Sequence, residues 1–321
     1  MKKIVSVSRR TDIPAFYGDW FMCRVREGFA GVVNPFGGRK YLVSLRPEDV
    51  TCFVLWSKDL TPFLAHLKTL DKTGYNFYFN YTVTGLPSVF ESGLDKDSAL
   101  KTLKLLSRTY SPAHINWRFD PIIPCSICDN DHFLSAFTQL ARELEGLVER
   151  CYFSFVTEYG RVKRNFEQLR RETGITITEV SEQQKIDLAN QIADIAGQHG
   201  IEMYSCCGEY LLGEKIKKAH CVDGAIIERL FYPEGLPYKE RPTRDQCGCT
   251  ESSDIGAYNT CPHGCIYCYA NANKTSASAS AANHDPQSAF LGFNRQQSDR
   301  WLKDIGAAQE QTDSADHPHL F

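Results

Sequence analysis

Ile115-Asn116-Trp117-Arg118-Phe119-Asp120, followed by the run from His132 to Leu147, is the stretch whose reading decides the fold class. The first part alternates. Ile115, Trp117 and Phe119 fall on one side of an extended chain, and Asn116, Arg118 and Asp120 on the other. The second part changes period, with Phe133, Phe137, Leu140, Ala141 and Leu144 recurring at the three- and four-residue spacing of an amphipathic helix. A strand followed by a helix that must bury one stripe is half of a parallel βαβ unit.

The same alternation extends outward in both directions. Strands are expected at Ile4 to Ser8, Tyr41 to Leu45, Cys52 to Trp56, Phe77 to Thr84, His114 to Phe119, Cys151 to Val156 and Ile201 to Ser205. Helical patterns lie between them at Gly18 to Glu27, Leu60 to Lys72, Lys96 to Arg108, His132 to Leu147 and Val180 to His199. No glycine-rich dinucleotide turn follows the first strand, so the expected fold is α/β, a TIM-barrel-like (β/α) barrel, complete or incomplete, over residues 1–230. Residues 231–272 form a cysteine-rich segment whose loop caps the barrel. Residues 273–321 read as a partly flexible tail: Lys274 to Asn283 is of low complexity and expected to be flexible, while Phe290 and Leu291 would dock back.

With 321 residues the chain is long enough for a single barrel, and 42% hydrophobic residues supply its core. A net charge of -3 gives no overall basic excess for nucleic acid or an anionic membrane. Two local basic clusters, Arg161 to Arg164 with Arg170 and Arg171, and Lys215 with Lys217 and Lys218, are flanked by acids and read as solvated surface. The first apolar run is short and broken by serines, which makes it a strand rather than a signal peptide, and no stretch is long enough to span a membrane. A cytoplasmic location is therefore expected, where thirteen cysteines point to metal more than to disulfides.

Barrel chemistry gathers at the carboxyl ends of strands, and those ends are polar here. Arg9, Arg10, Thr11 and Asp12 follow the first strand, Ser57 and Lys58 the third, and Arg118 and Asp120 close the fifth. Arg10, Asp12, Arg118 and Asp120 carry two readings: they finish strand ends by pairing with one another or with loop backbone, or they grip a ligand. A guanidinium holds a carboxylate through two parallel bonds, and a carboxylate takes a hydroxyl or an amine.

Near the end of the chain Cys261-Pro262-His263-Gly264-Cys265-Ile266-Tyr267-Cys268 places three cysteines at C-x3-C-x2-C spacing. Three thiolates in a compact loop hold three corners of a 4Fe-4S cluster, whereas an electron carrier normally uses four. A zinc knuckle using His263 is the competing reading, although zinc ligands more often come as two separated pairs. Upstream, Cys206, Cys207, Cys221, Cys247 and Cys249 are dense enough for a second iron-sulfur or zinc site, drawn from Cys206 or Cys207 with Cys221, Cys247 and Cys249. The alternative is ordinary burial of small apolar side chains. Cys125 and Cys128 lack a second pair and read as chance spacing; Cys23, Cys52 and Cys151 read as core.

The cysteine loop resembles that of the radical S-adenosylmethionine superfamily. Cys261, Cys265 and Cys268 match its cluster ligands, Tyr267 matches the aromatic whose backbone faces the adenine, and Cys207-Gly208-Glu209 is a loose counterpart of its Gly-Gly-Glu element, with Glu209 toward the cofactor's amino group. Ser8 to Ala15, Asn34-Pro35, Trp117 to Ile122 and the loop together resemble DUF1848, a bacterial family described as a domain of unknown function, over about residues 1 to 295. The superfamily usually carries its cysteines after the first strand, and here they follow the last. The resemblance implies a 4Fe-4S cluster, S-adenosylmethionine bound with help from Arg10, Asp12, Arg118 and Asp120, a 5'-deoxyadenosyl radical acting on an unknown substrate, and a one-electron donor such as a flavodoxin or ferredoxin. Two other functions remain in view: a non-catalytic iron-sulfur or zinc sensor of redox state or metal, and repair of nucleic-acid lesions by the same radical chemistry.

Overall fold

A computed structural model describes residues 2–91 and 95–315, with side chains through residue 306. Its strands are β1 (Lys3–Val7), β2 (Phe29–Val33), β3 (Lys40–Ser44), β4 (Val50–Ser57), β5 (Phe77–Thr82), β6 (Ile115–Arg118), β7 (Arg150–Phe153), β8 (Glu202–Ser205), β9 (Ile216–Lys218) and β10 (Ser253–Asp254). The helices are α1 (Ile13–Phe16), α2 (Gly18–Glu27), α3 (Leu64–Lys72), α4 (Lys96–Thr109), α5 (Asn130–Leu144), α6 (Gly160–Thr173), α7 (Glu182–Gln198), α8 (Gly224–Phe231), α9 (Lys274–Ala282) and α10 (Arg295–Ala315). Eight strands form one sheet in the order β10-β1-β4-β5-β6-β7-β8-β9, and every pairing in it is parallel.

The period-two alternation sorts side chains onto two faces. Val5, Leu55, Phe79, Trp117, Phe153 and Met203 belong to a large apolar cluster with the helices, to which α5 contributes Phe133, Phe137, Leu140, Ala141 and Leu144. Each large side chain buried there contributes about 1.5–3 kcal/mol relative to exposure. Asp129 starts α5 by accepting the His132 N–H at 2.9 Å, and a reciprocal capping box of Ser181 and Gln184 starts α7. The opposite face carries Ile4, Cys52, Val54, Tyr78 and Tyr152, which pack on Cys221, Val222, Ile226 and Ile227 around the start of α8. Tyr78 Oη and Asn80 Nδ2 both donate to the Cys221 carbonyl, at 3.0 and 2.9 Å, so residues of the chain's last third fill the space under the central strands.

Among the described residues β9 and β10, the two edges of the sheet, form no strand pair with each other. The segments beside them do meet, because the Thr250 N–H donates to the Val222 carbonyl at 2.9 Å. Three expectations change. Tyr41 to Leu45 is not part of the parallel sheet: β3 pairs antiparallel with β2 in a separate hairpin, and an antiparallel neighbour needs only a short connection. Lys274 to Asn283 is helical rather than flexible, since Asn273 caps α9 by accepting the Ser276 N–H at 2.7 Å and alanine favours the helix. Helices α6 and α8 lie where no helix was expected. Phe290 and Leu291 are buried as expected, with Phe290 against Gly31. No helix among the described residues is long and apolar enough to cross a membrane.

Candidate functional site

Asp12 sits just past β1 and is buried. One carboxylate oxygen accepts from the Ala15 N–H, capping α1, and from Ser57 Oγ at 2.7 Å; the other accepts from the Lys58 N–H at 2.8 Å and meets His263 Nε2 at 2.8 Å. One side chain thus joins the ends of β1 and β4 to the cysteine loop. His263 is also packed edge-on by Phe16, with ring centroids 4.7 Å apart. The histidine of the competing zinc reading is therefore engaged by Asp12.

The rest of the loop is fastened in the same way. Tyr17 Oη donates to the Thr260 carbonyl at 2.5 Å, the Ile266 N–H to the Phe90 carbonyl at 3.0 Å, and Asn165 Nδ2 of α6 to the Ile266 carbonyl at 2.7 Å. Arg161, expected only at the solvated surface, reaches the Tyr269 carbonyl at 3.1 Å, and Tyr269 Oη returns to the Arg9 carbonyl at 2.9 Å. These contacts set the loop across the region past the carboxyl ends of β1, β4 and β5. Within it, Asn271 Nδ2 donates to the Cys261 carbonyl at 2.7 Å and the Ala270 N–H reaches Cys268 Sγ at 3.3 Å. Cys261, Cys265 and Cys268 are half-buried and free of disulfides.

Tyr267 anchors the loop through its phenol, which donates to Glu91; Lys58 Nζ bonds Glu91 Oε2 at 2.5 Å, and Thr84 Oγ1 donates to Oε1 at 2.6 Å. Burial alone would raise the Glu91 carboxyl, but the Lys58 charge and the hydrogen bonds from Lys58, Thr84 and Tyr267 outweigh it and hold the group below its ordinary value. Burial raises the Cys265 thiol to about 11, with Lys58 acting in the opposite direction, and burial likewise raises Cys261 and Cys268. Neutral thiols held together in one loop are a donor set that ionises when a thiophilic centre binds. Three such donors, with an N–H on the third sulfur, suit a cluster that leaves one corner to another ligand.

The other sequence-selected residues lie elsewhere. Arg118 is paired with Asp120, lies over the Trp56 ring at 5.1 Å and donates to Cys221 Sγ at 3.2 Å; Asp120 also accepts from Ser154 Oγ. Arg10 turns to the Gly256 carbonyl at 3.4 Å and to Asp254, and Glu209 is exposed and paired with Lys218. Asp254, which sequence reading passed over, is buried on β10 and accepts from Ser6 Oγ, Ser8 Oγ and the Arg9 N–H. Glu91 was also missed. Nothing periodic surrounds it, and only the lysine-tipped end of β4 hinted that an acid was needed.

Among the described residues no three His, Cys, Asp or Glu side chains are already drawn around a point that would hold a single metal ion. The upstream cysteines are nonetheless neighbours: Cys206 Sγ lies 3.6 Å from Cys221 Sγ and 4.0 Å from Cys207 Sγ. Cys125 and Cys128 are buried and exchange backbone hydrogen bonds across a tight turn whose tip, Ser126-Ile127, is exposed. No curated protein matches the chain. Residues 4–270 match the family model described as a domain of unknown function, DUF1848, and the chain belongs to that family.

Proposed function

We propose that this protein is an iron-sulfur enzyme of radical S-adenosylmethionine type. The observation that carries the reading is the cysteine loop itself: three free, half-buried thiols in C-x3-C-x2-C order, held by Asp12 through His263 and by Glu91 through Tyr267 against the carboxyl end of a parallel sheet. Cys261, Cys265 and Cys268 would hold three irons of a 4Fe-4S cluster and leave the fourth to S-adenosylmethionine. When bound, the pair supplies one-electron cleavage of a carbon-sulfur bond and, from it, a carbon radical that abstracts hydrogen from a substrate.

The chain's own residues fix the loop and place positive charge beside the cysteines. Lys58, whose charge opposes the upward effect of burial at Cys265 and Cys268, offsets the negative charge that the ligands would acquire on ionising. The sheet is read as a barrel-like enclosure closed by the cysteine segment, with substrate under the loop, Arg118 and Asp120 on its wall, a flavodoxin- or ferredoxin-type donor outside, and the cytoplasm as compartment. The test is anaerobic reconstitution with iron and sulfide. About four irons should bind at the loop, S-adenosylmethionine should change the spectrum of the reduced cluster, and 5'-deoxyadenosine should form with dithionite. A reconstituted cluster indifferent to S-adenosylmethionine, with no 5'-deoxyadenosine, would replace the enzyme by a sensor.

A further inference from the structure

Five cysteines from three separate segments come together where the two edges of the sheet approach. Cys206 leaves β8, Cys221 follows β9, and Cys247 and Cys249 precede β10. Cys206 Sγ is 3.6 Å from Cys221 Sγ and 4.0 Å from Cys207 Sγ; the Thr250 N–H bond to the Val222 carbonyl brings the neighbouring Cys249 alongside Cys221; and the Cys249 N–H donates to Cys247 Sγ at 3.5 Å. Cys221, Cys247 and Cys249 belong to one buried cluster with Cys206 and Cys207 packed against it, and all five cysteines are free thiols. Arg118 donates to Cys221 Sγ at 3.2 Å from one side, and Arg244 Nε donates to Cys207 Sγ at 2.9 Å from the other.

We propose that Cys206, Cys221, Cys247 and Cys249 bind one zinc-class ion that staples the seam between β9 and β10. Zinc-sulfur bonds of about 2.3 Å put the sulfurs of a tetrahedral site about 3.8 Å apart. The Cys206–Cys221 separation of 3.6 Å matches that edge. The remaining sulfurs would have to reach that spacing by side-chain rotation between staggered rotamers. A divalent ion with four thiolates is doubly negative, and Arg244 on one flank, with Arg118 (also paired with Asp120) on the other, supplies part of the opposing charge. Cys207 is the spare thiol: its backbone is left-handed at φ 57°, its sequence neighbour Cys206 already faces Cys221, and Arg244 holds its sulfur at 2.9 Å, closer than the 3.6 Å from Arg244 to Cys206 Sγ. The ion would reinforce a seam that the Thr250 N–H to Val222 carbonyl and Gly224 N–H to Thr250 Oγ1 bonds, both 2.9 Å, already bridge.

The test uses the full chain with Cys261→Ala, Cys265→Ala and Cys268→Ala, which removes the loop's ligands and makes the result independent of the proposed function. About one zinc per chain should remain, fall at least tenfold on adding Cys247→Ala, and persist on adding Cys207→Ser instead. Stripping the ion with a chelator should lower the melting temperature by roughly 5–10 °C. A folded, metal-free triple variant would overturn the site. Zinc retained after Cys247→Ala would overturn the ligand set, and stoichiometric iron with sulfide would overturn the choice of a single ion. Should the triple variant not fold, cobalt substitution of the otherwise unaltered chain decides: thiolate-to-cobalt absorption lost in Cys247→Ala supports the site, and absorption unchanged by that substitution overturns it.

Discussion

Lys58 and Glu91 show how one buried ion pair governs the loop above it. Removing a partner leaves an uncompensated charge, so Lys58→Met should cost about 3–5 kcal/mol of unfolding free energy in urea titrations, and Glu91→Gln in the same chain should restore part of it. The pair also sets a pH window. The folded Glu91 holds its proton less readily than the unfolded chain does at its ordinary value of 4.5, so its stabilisation is whole above about pH 4.5 and is lost as pH falls through the lower native value. The difference in stability between wild type and Glu91→Gln should therefore shrink on acidification below pH 4.5; a constant difference would place the stabilisation outside the ionised pair. Half of this was legible beforehand, because a lysine ending a strand at the expected chemical end of a sheet asks for a partner. Glu91 stayed hidden because pairing across a loop leaves no periodic trace. Asp12 carried both readings, a ligand grip and a strand end finished by pairing; its oxygens meet Ala15, Ser57, Lys58 and His263, and a partner 251 residues away cannot be read from spacing.

Elements with long apolar repeats announced themselves, and short ones did not. Helix α2 falls on the expected residues, whereas β9 with three residues and β10 with two are too brief for any alternation to register. In α6, Val162, Phe166 and Leu169 form a buried stripe that was present in the sequence, but the arginines between them drew the reading toward surface charge. Asn165 on that helix gives a test of loop anchoring. Asn165→Ala removes the bond to the Ile266 carbonyl, should change global stability by only about 0.5–1.5 kcal/mol, and should raise the rate of Cys265 alkylation several-fold in peptide mass analysis. An unchanged rate would mean that Asp12 and Glu91 suffice to hold the loop. Just past α9, His284 packs edge-on against Tyr17, and its Nδ1 accepts the Gly292 N–H at 3.2 Å. Burial pushes His284 down to about 4 from an ordinary 6.5. The unfolded chain therefore takes up the proton first, and stability should fall as pH drops from about 6.5 to about 4 and then level off as far as this residue is concerned. His284→Gln should flatten that part of the urea-midpoint profile; an identical slope in the variant would assign the dependence to other groups.

At the scale of the molecule, the chain's last described third is part of the fold laid down by its first. Trp20 Nε1 donates to the Ser288 carbonyl at 2.8 Å and the Gly31 N–H to the Ala289 carbonyl at 2.8 Å, so α2 and β2 complete their bonding only with residues more than 250 positions later. The apolar pair Phe290-Leu291 announced this docking in the sequence, but its target did not. A glycine in β2 reads as weak strand until the ring that lies on it is seen. A Cβ on Gly31 would come within 2.6 Å of the Phe290 ring, which itself packs edge-on against Trp301 at 5.1 Å. Phe290→Ala should therefore cost about 3–5 kcal/mol through the cavity left behind. Gly31→Ala should cost about 1–3 kcal/mol through overpacking, despite being the smallest side chain that can be added. The two effects share one space, so they should not add: once the ring is gone the alanine methyl enters the vacated volume, and the double variant should be more stable than the sum of the single losses predicts. A double-mutant cycle from urea unfolding measures this directly. Strict additivity would mean that Gly31 is required for its backbone, and that the closeness of the Phe290 ring has no energetic consequence.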